Sequence, residues 1–124
     1  MVMAQHWSEH FAGLYLRLRG LAILARNYHC RYGEIDLIAL DRSSTSSTVI
    51  FIEIKYRRNC LFGRPKESVT VSKQRRITAT AKHYLQSTGA LEREVRFDVL
   101  AISHSHYLPT ITWIKDAFYE TSQS

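Results

Sequence analysis

The sequence predicts an α/β fold, and three observations carry that expectation. Two segments, one ending at Gly20 and one at Gly89, space apolar residues at the helical period. Five others are short runs rich in Ile, Val, Leu and Phe, the composition of strands. The two kinds alternate along the chain instead of forming separate blocks, the pattern expected when helices cover a sheet.

Taken in order, Ser8 is a plausible N-cap with Glu9 in the first helical turn, where its charge suits the dipole. Phe11, Leu14, Tyr15 and Leu18 then form an amphipathic stripe that ends near Gly20. Leu21 to Arg26 is a short apolar strand, and Gly33 opens a second from Glu34 to Leu40. Residues 41–47, Asp-Arg-Ser-Ser-Thr-Ser-Ser, have loop composition. Thr48 to Tyr56 is the third strand, followed by a loop holding Gly63 and Pro65. Ser72 is placed to cap a long helix whose buried face carries Ile77, Ala81, Tyr84 and Leu85, with Gly89 ending it. Arg96 to Ile102 and Leu108 to Ile114 complete the strands, the last at a sheet edge. The polar tail from Glu120 is expected to fray.

A chain of 124 residues fits one domain, with a core over about residues 8–118 and a polar tail at 120–124. Its hydrophobic fraction of 45% argues against wholesale disorder. No secretory signal pattern and no apolar run long enough to span a membrane is visible, so a cytoplasmic protein is expected. Cys30 and Cys60 form no CxxC pair and demand no disulfide, in keeping with a reducing compartment. The net charge is +6. It is concentrated between Ile54 and Arg76, where Lys55, Arg57, Arg58, Arg64, Lys66, Lys73, Arg75 and Arg76 face only Glu67. Such clustering points to a polyanionic partner, or else to a solvated basic face.

The most informative residues are charged ones inside apolar strands: Glu34 and Asp36 in Gly-Glu-Ile-Asp-Leu-Ile, and Glu53 and Lys55 in Phe-Ile-Glu-Ile-Lys. Charges there are costly without a partner or a metal. Alternation puts Glu34, Asp36, Ile38 and Leu40 on one face, and Val49, Phe51, Glu53 and Lys55 on one face of the next strand. If the strands pair antiparallel around the Ser/Thr loop with partner numbers summing to 89, Leu40 faces Val49 and Ile38 faces Phe51; a shift by two residues would keep the face and change the opposite neighbours. In that register Asp36 faces Glu53, and Glu34 faces Lys55. Opposed carboxylates destabilise a strand pair. Asp36 and Glu53 therefore need relief, by a raised pKa or by a cation.

Residues 33–40 (GEIDLIAL), 51–57 (FIEIKYR), Phe62-Gly63-x-Pro65 and Arg96-Phe97-Asp98-Val99 resemble the YraN-like family of small uncharacterised bacterial proteins, over roughly residues 8–118. The resemblance implies a restriction-endonuclease-like fold of the PD-(D/E)xK superfamily, a central mixed sheet of about five strands flanked by helices. Archaeal Holliday junction resolvases are relatives in that superfamily. By this resemblance Asp36 stands for the motif aspartate, and Glu53 and Lys55 for its Glu-x-Lys. Glu9 resembles the first-helix glutamate that assists metal binding, and Lys73 matches the family's lysine on the long helix. Gln5 and Ser8 replace glycines usual before the helix glutamate, Leu21 an aromatic, and His29 displaces an arginine.

The chemistry implied is Mg²⁺- or Mn²⁺-dependent hydrolysis of DNA phosphodiester bonds, on branched or recombination intermediates. Asp36 and Glu53 are hard oxygen donors suited to Mg²⁺. The Ile54 carbonyl and Glu9 complete the expected metal set, with Glu34 auxiliary. Lys55 is expected to orient the water and stabilise developing charge. Arg57, Arg58, Arg64, Lys66, Lys73, Arg75 and Arg76 are the expected DNA contacts, the last three at a helix N-terminus suited to phosphate. Cations there oppose the helix dipole, which indicates a role other than helix stability. A non-catalytic nucleic-acid-binding or protein-interaction module on the same fold stays open, as does a homodimer, the state in which junction resolvases act. His104-Ser105-His106 is read as loop and Asp98 as a structural hydrogen-bonding residue. Trp7 and Trp113 are read as core or interface.

Overall fold

The computed structural model describes residues 2–43, 47–57, 69–105 and 108–118, with side chains described except at 2–8, 57, 104–105 and 108–109. Seven elements follow one another: α1 (Val2–Leu18), β1 (Leu21–Cys30), β2 (Gly33–Asp41), β3 (Thr48–Arg57), α2 (Val71–Ser87), β4 (Glu94–Ser105) and β5 (Leu108–Phe118). The strands form one sheet in the order β1-β2-β3-β4-β5. The β1–β2, β2–β3 and β4–β5 pairs are antiparallel, and β3–β4 is parallel with α2 as its crossover. The α/β expectation is met as a five-stranded mixed sheet with two helices, and β5 lies at an edge as expected.

Alternation along the central strands gives the sheet two apolar faces. Leu37, Ala39, Ile50, Ile52, Leu100 and Ile102 pack with Ala12 and Leu16 of α1. Ile38, Val49, Phe51, Phe97 and Val99 pack with Ile77, Ala81 and Leu85 of α2. Phe51, Phe97 and Phe118 stack across three strands, with ring centroids 5.6 and 5.0 Å apart. A sheet apolar on both faces needs both covered, which is the task of the two helices.

The β2–β3 register matches the expected one, with Leu40 against Val49 and Ile38 against Phe51. Four details differ. Helix α1 begins at Val2, so Ser8 is not its cap and Glu9 sits in mid-helix. No Pro or Gly interrupts residues 2–8, so the helix runs back past the hydroxyl. Its buried face is Ala12 and Leu16, flanked by Phe11 and Tyr15, while Leu14 and Leu18 are exposed. Helix α2 is capped by Thr70, not Ser72: the Thr70 hydroxyl accepts the Lys73 N–H at 3.2 Å. At its other end Gly89, at φ 71°, closes a Schellman motif, with Gly89 N–H bonded to Gln86 O and Ala90 N–H to Leu85 O. Finally, His104 belongs to β4 and not to a loop, whereas His106 lies outside the described residues.

The β4–β5 pair carries a buried polar knot. Asp98 is fully buried and accepts from Arg96 (Nε 2.9 Å and Nη2 2.9 Å), Trp113 Nε1 (2.8 Å) and the Asp116 N–H (2.9 Å). The ladder shifts between Phe97 and Val99, and Asp116 opposite adopts φ 54°. Asp98 thus holds the irregular turn of β5 in place, the structural role expected of it. Trp113 is half-buried, edge-on to Tyr15 of α1 and under the Lys115 ammonium. Cys30 carries a free thiol, and Cys60 and the tail from Glu120 lie outside the described residues. No described helix is long and apolar enough to cross a membrane.

Candidate active-site cleft

The ladder between β2 and β3 stops at Leu37↔Ile52, one step before Asp36 would meet Glu53. There the Asp36 side chain takes over: its Oδ2 accepts the Ile54 N–H at 2.8 Å. The other edge of Asp36 is disturbed as well. Arg26↔Leu37 and Tyr28↔Ile35 flank it, so Asn27 of β1 lies opposite, and Asn27 adopts φ 51°. Alternation slips at this point. Ile35 joins the α2-side cluster with Ile38, and Asp36 lines a cleft on that same side. The expectation that Asp36 shares a face with Ile38 and Leu40 is met; the slip belongs to Ile35, and beside it the Asp36 carboxylate stands in for a ladder bond.

The cleft, about 280 Å³, is lined by Gly33, Glu34, Asp36, Glu53, Lys73, Arg76 and Ile77. Asp36 is half-buried and Glu53 buried, with a side chain only 9% exposed. Burial above all, and the charge of Glu53 next, push the Asp36 carboxyl up to about 7; Glu9 adds to the rise, while the Ile54 amide and Lys73 oppose it. The relief expected for two facing carboxylates is therefore present in both forms, a raised pKa and a cation. That cation is Lys73, whose Nζ lies 2.6 Å from Glu53 Oε2. Lys55 Nζ lies at 4.0 Å from the same oxygen.

Several expected neighbours are thus brought together and others are not. Asp36, Glu53, Lys55 and Lys73 converge, and Glu34 and Arg76 line the same cleft. Glu34 is not the partner of Lys55: it is exposed and pairs with His29 of β1, because the β2–β3 ladder has already opened. Glu9, on α1, is not among the residues lining the cleft; it acts on Asp36 only electrostatically, and its Oε1 accepts from Asn27 Nδ2 at 3.2 Å. Ile54 contributes its N–H to Asp36. Arg75 is exposed on α2, and Arg57 ends β3. Arg58, Arg64, Lys66 and the Phe62-Gly63-x-Pro65 motif lie outside the described residues. Asn27 was not singled out from sequence. Its signal was an Asn-Tyr-His step inside an apolar strand, where the left-handed backbone that Asn tolerates is useful.

The donor set suits a hard divalent cation. Among the described residues no three His, Cys, Asp or Glu form a ready cage. Mg²⁺ asks for less, since it binds through one or two carboxylates and keeps its waters. Asp36 and Glu53 supply that pair on the wall of an open cleft.

The chain matches, over residues 8–102, the model of the uncharacterised protein family UPF0102. It is 48% identical over 112 residues to a UPF0102 protein of Nitrosococcus oceani, covering 90% of this chain and 87% of that one. It is 47% identical over 115 residues to one of Psychromonas ingrahamii (91% and 87%), and 43% over 111 residues to one of Rhodococcus jostii (89% and 91%). The relatives agree with the YraN-like resemblance carried by the motifs, and the chain belongs to this uncharacterised family, UPF0102.

Proposed function

We propose that the chain is a divalent-metal-dependent nuclease on a restriction-endonuclease-like fold, hydrolysing DNA phosphodiester bonds on branched or recombination intermediates. One observation carries the reading: where the β2–β3 ladder opens, two carboxylates from adjacent strands face one cleft beside two lysines. The five-stranded mixed sheet with a helix on each face is in keeping with such a fold.

Asp36 and Glu53 would hold Mg²⁺ or Mn²⁺, with the Ile54 carbonyl, Glu9 and Glu34 as neighbours able to support it. Bound there, the ion would polarise a phosphoryl oxygen and lower the pKa of its water. The Ile54 N–H fixes the Asp36 carboxylate, so its free oxygen is presented in one direction. Lys55, whose Nζ lies 4.0 Å from Glu53, would orient the attacking water and meet negative charge as it develops. Arg76, with Lys73 and Arg75 on the first turns of α2, would hold the phosphate backbone without reading bases.

A second reading has one observation in its favour. The Lys73–Glu53 ion pair neutralises the buried glutamate within the chain itself, as a non-catalytic nucleic-acid-binding module would require. The test is cleavage of plasmid, single-stranded and four-way-junction DNA across a Mg²⁺ and Mn²⁺ series. The nuclease reading expects metal-dependent products, reduced at least about 100-fold in Asp36→Ala and Lys55→Ala. Cleavage by both variants at the wild-type rate, or none by the wild type, removes it, and salt-sensitive binding without cleavage then favours the module.

A further inference from the structure

Glu53 is served by two lysines that differ in kind. Lys55 neighbours it on the same strand, at 4.0 Å, and is carried by the rigid sheet. Lys73 arrives from another element, the first turn of α2, and makes the short contact at 2.6 Å. Its backbone is pinned, since its N–H is held by the Thr70 hydroxyl. Its side chain is 39% exposed, so the four-carbon stem has solvent to move into. A cation in the first turn of a helix is disfavoured by the helix dipole, and this contact offsets that cost. Among the described residues, the charges that share the cleft with Lys73 are Glu34, Asp36 and Glu53 from the sheet and Arg76 from its own helix.

From this arrangement we infer that Lys73 is a tethered counter-ion of Glu53, which a divalent cation displaces when it takes the Asp36–Glu53 pair. A divalent ion on the Asp36–Glu53 pair would stand within a few ångströms of the Lys73 ammonium, so the two cations repel and compete for Glu53, and Lys73 sets the threshold at which the site loads. This rests on the metal-binding reading above and adds to it a residue that opposes loading. Lys55, at 4.0 Å, is no such competitor and can stay where it is.

The test is Mn²⁺ binding to the full chain without DNA, followed by electron paramagnetic resonance of free Mn²⁺, for wild type, Lys73→Met, Lys73→Gln and Lys55→Met. Removal of the competitor is expected to tighten Mn²⁺ binding by about tenfold in both Lys73 variants, and by clearly less in Lys55→Met. In wild type, the Lys73 side-chain nitrogen resonance should move toward that of a free lysine as Mg²⁺ is added, a readout that needs no variant to fold. Equal or weaker Mn²⁺ binding by the Lys73 variants, or a Lys73 resonance unmoved at saturating Mg²⁺, overturns the inference alone. Absence of Mn²⁺ binding by wild type and variants together overturns it along with the metal-binding reading.

Discussion

Asp36 is an acid whose surroundings work against its ionisation. Burial and Glu53 raise its pKa from 3.8 to about 7, and Lys73 and the Ile54 amide recover only part of the loss. The consequence for stability has a definite sign. Between about pH 4 and 7 the folded chain holds a proton on Asp36 that the unfolded chain has released, so unfolding releases it and stability falls as pH rises through that window. Above pH 7 the penalty is fully present. Asp36→Asn, which keeps an oxygen for the Ile54 N–H but cannot ionise, should therefore be more stable than wild type at pH 8 in a chelator, with less than half of that gain at pH 5. About two units of that window lie between the two pH values, so the difference is at most about 3 kcal/mol, at about 1.4 kcal/mol per pKa unit. Urea denaturation of both proteins at the two pH values measures it; the same gap at pH 5 and pH 8 would assign the strain to something other than this carboxyl. Added Mg²⁺ should stabilise wild type at pH 8 and leave the Asn variant far less affected, because the ion favours the carboxylate it binds.

At the scale of elements, the contrast between the two hairpins explains what was legible. The β2–β3 hairpin could be read because Leu40, Ile38, Val49 and Phe51 alternate cleanly about a loop without apolar residues, and a one-residue slip would turn that whole set to the other face. The same logic gave the buried face of α2, where Ile77, Ala81 and Leu85 keep the helical period. It failed where side chains substitute for backbone. Asp36 keeps its face but bonds the Ile54 N–H in place of a ladder partner, and no local pattern announces that. The Lys73–Glu53 contact joins residues twenty positions apart on different elements, so it follows from how α2 crosses the sheet and not from spacing. Thr70 and Ser72 are equally good caps by chemistry, and only the actual first turn decides between them. In β4–β5, Asp98 was read as structural from its apolar surroundings, but its partners Trp113 and Asp116 come from a bulge that sequence does not display. That knot carries its own expectation. Asp98→Ala leaves Arg96, Trp113 Nε1 and the Asp116 N–H without their common acceptor and should cost about 3–5 kcal/mol, as for breaking any buried charged pair. Thermal melts followed by Trp fluorescence report it, and a loss below about 1 kcal/mol would mean that the β5 turn holds itself.

For the whole molecule, the two faces of the sheet divide the work. The α1 face is closed by Ala12, Leu16 and Trp113, whereas the α2 face opens beyond Ile77 into the cleft that holds the carboxylates. A polyanion entering it, as proposed, would meet three acids, Glu34, Asp36 and Glu53, and could not approach unless the cations around them prevailed. They are Lys55, Lys73 and Arg76 at the site and Arg75 beside it, on a chain whose net charge is +6. Association should then be fast at low salt and weaken steeply as counter-ions compete, with each phosphate contact adding about 0.9 to the slope of log K against log salt. The localisation of that effect is testable. Arg76→Ala should weaken binding of unrelated duplexes equally and lower the slope by about 1, as for one lost phosphate contact. Lys115→Ala, which removes an exposed cation from over Trp113 on the α1 face, should change neither quantity. Fluorescence anisotropy of labelled DNA between about 50 and 200 mM KCl reads both slopes. Equal effects of the two substitutions would mean that the charge acts diffusely over the surface, and the α2 cleft would lose its claim to be where the phosphates enter.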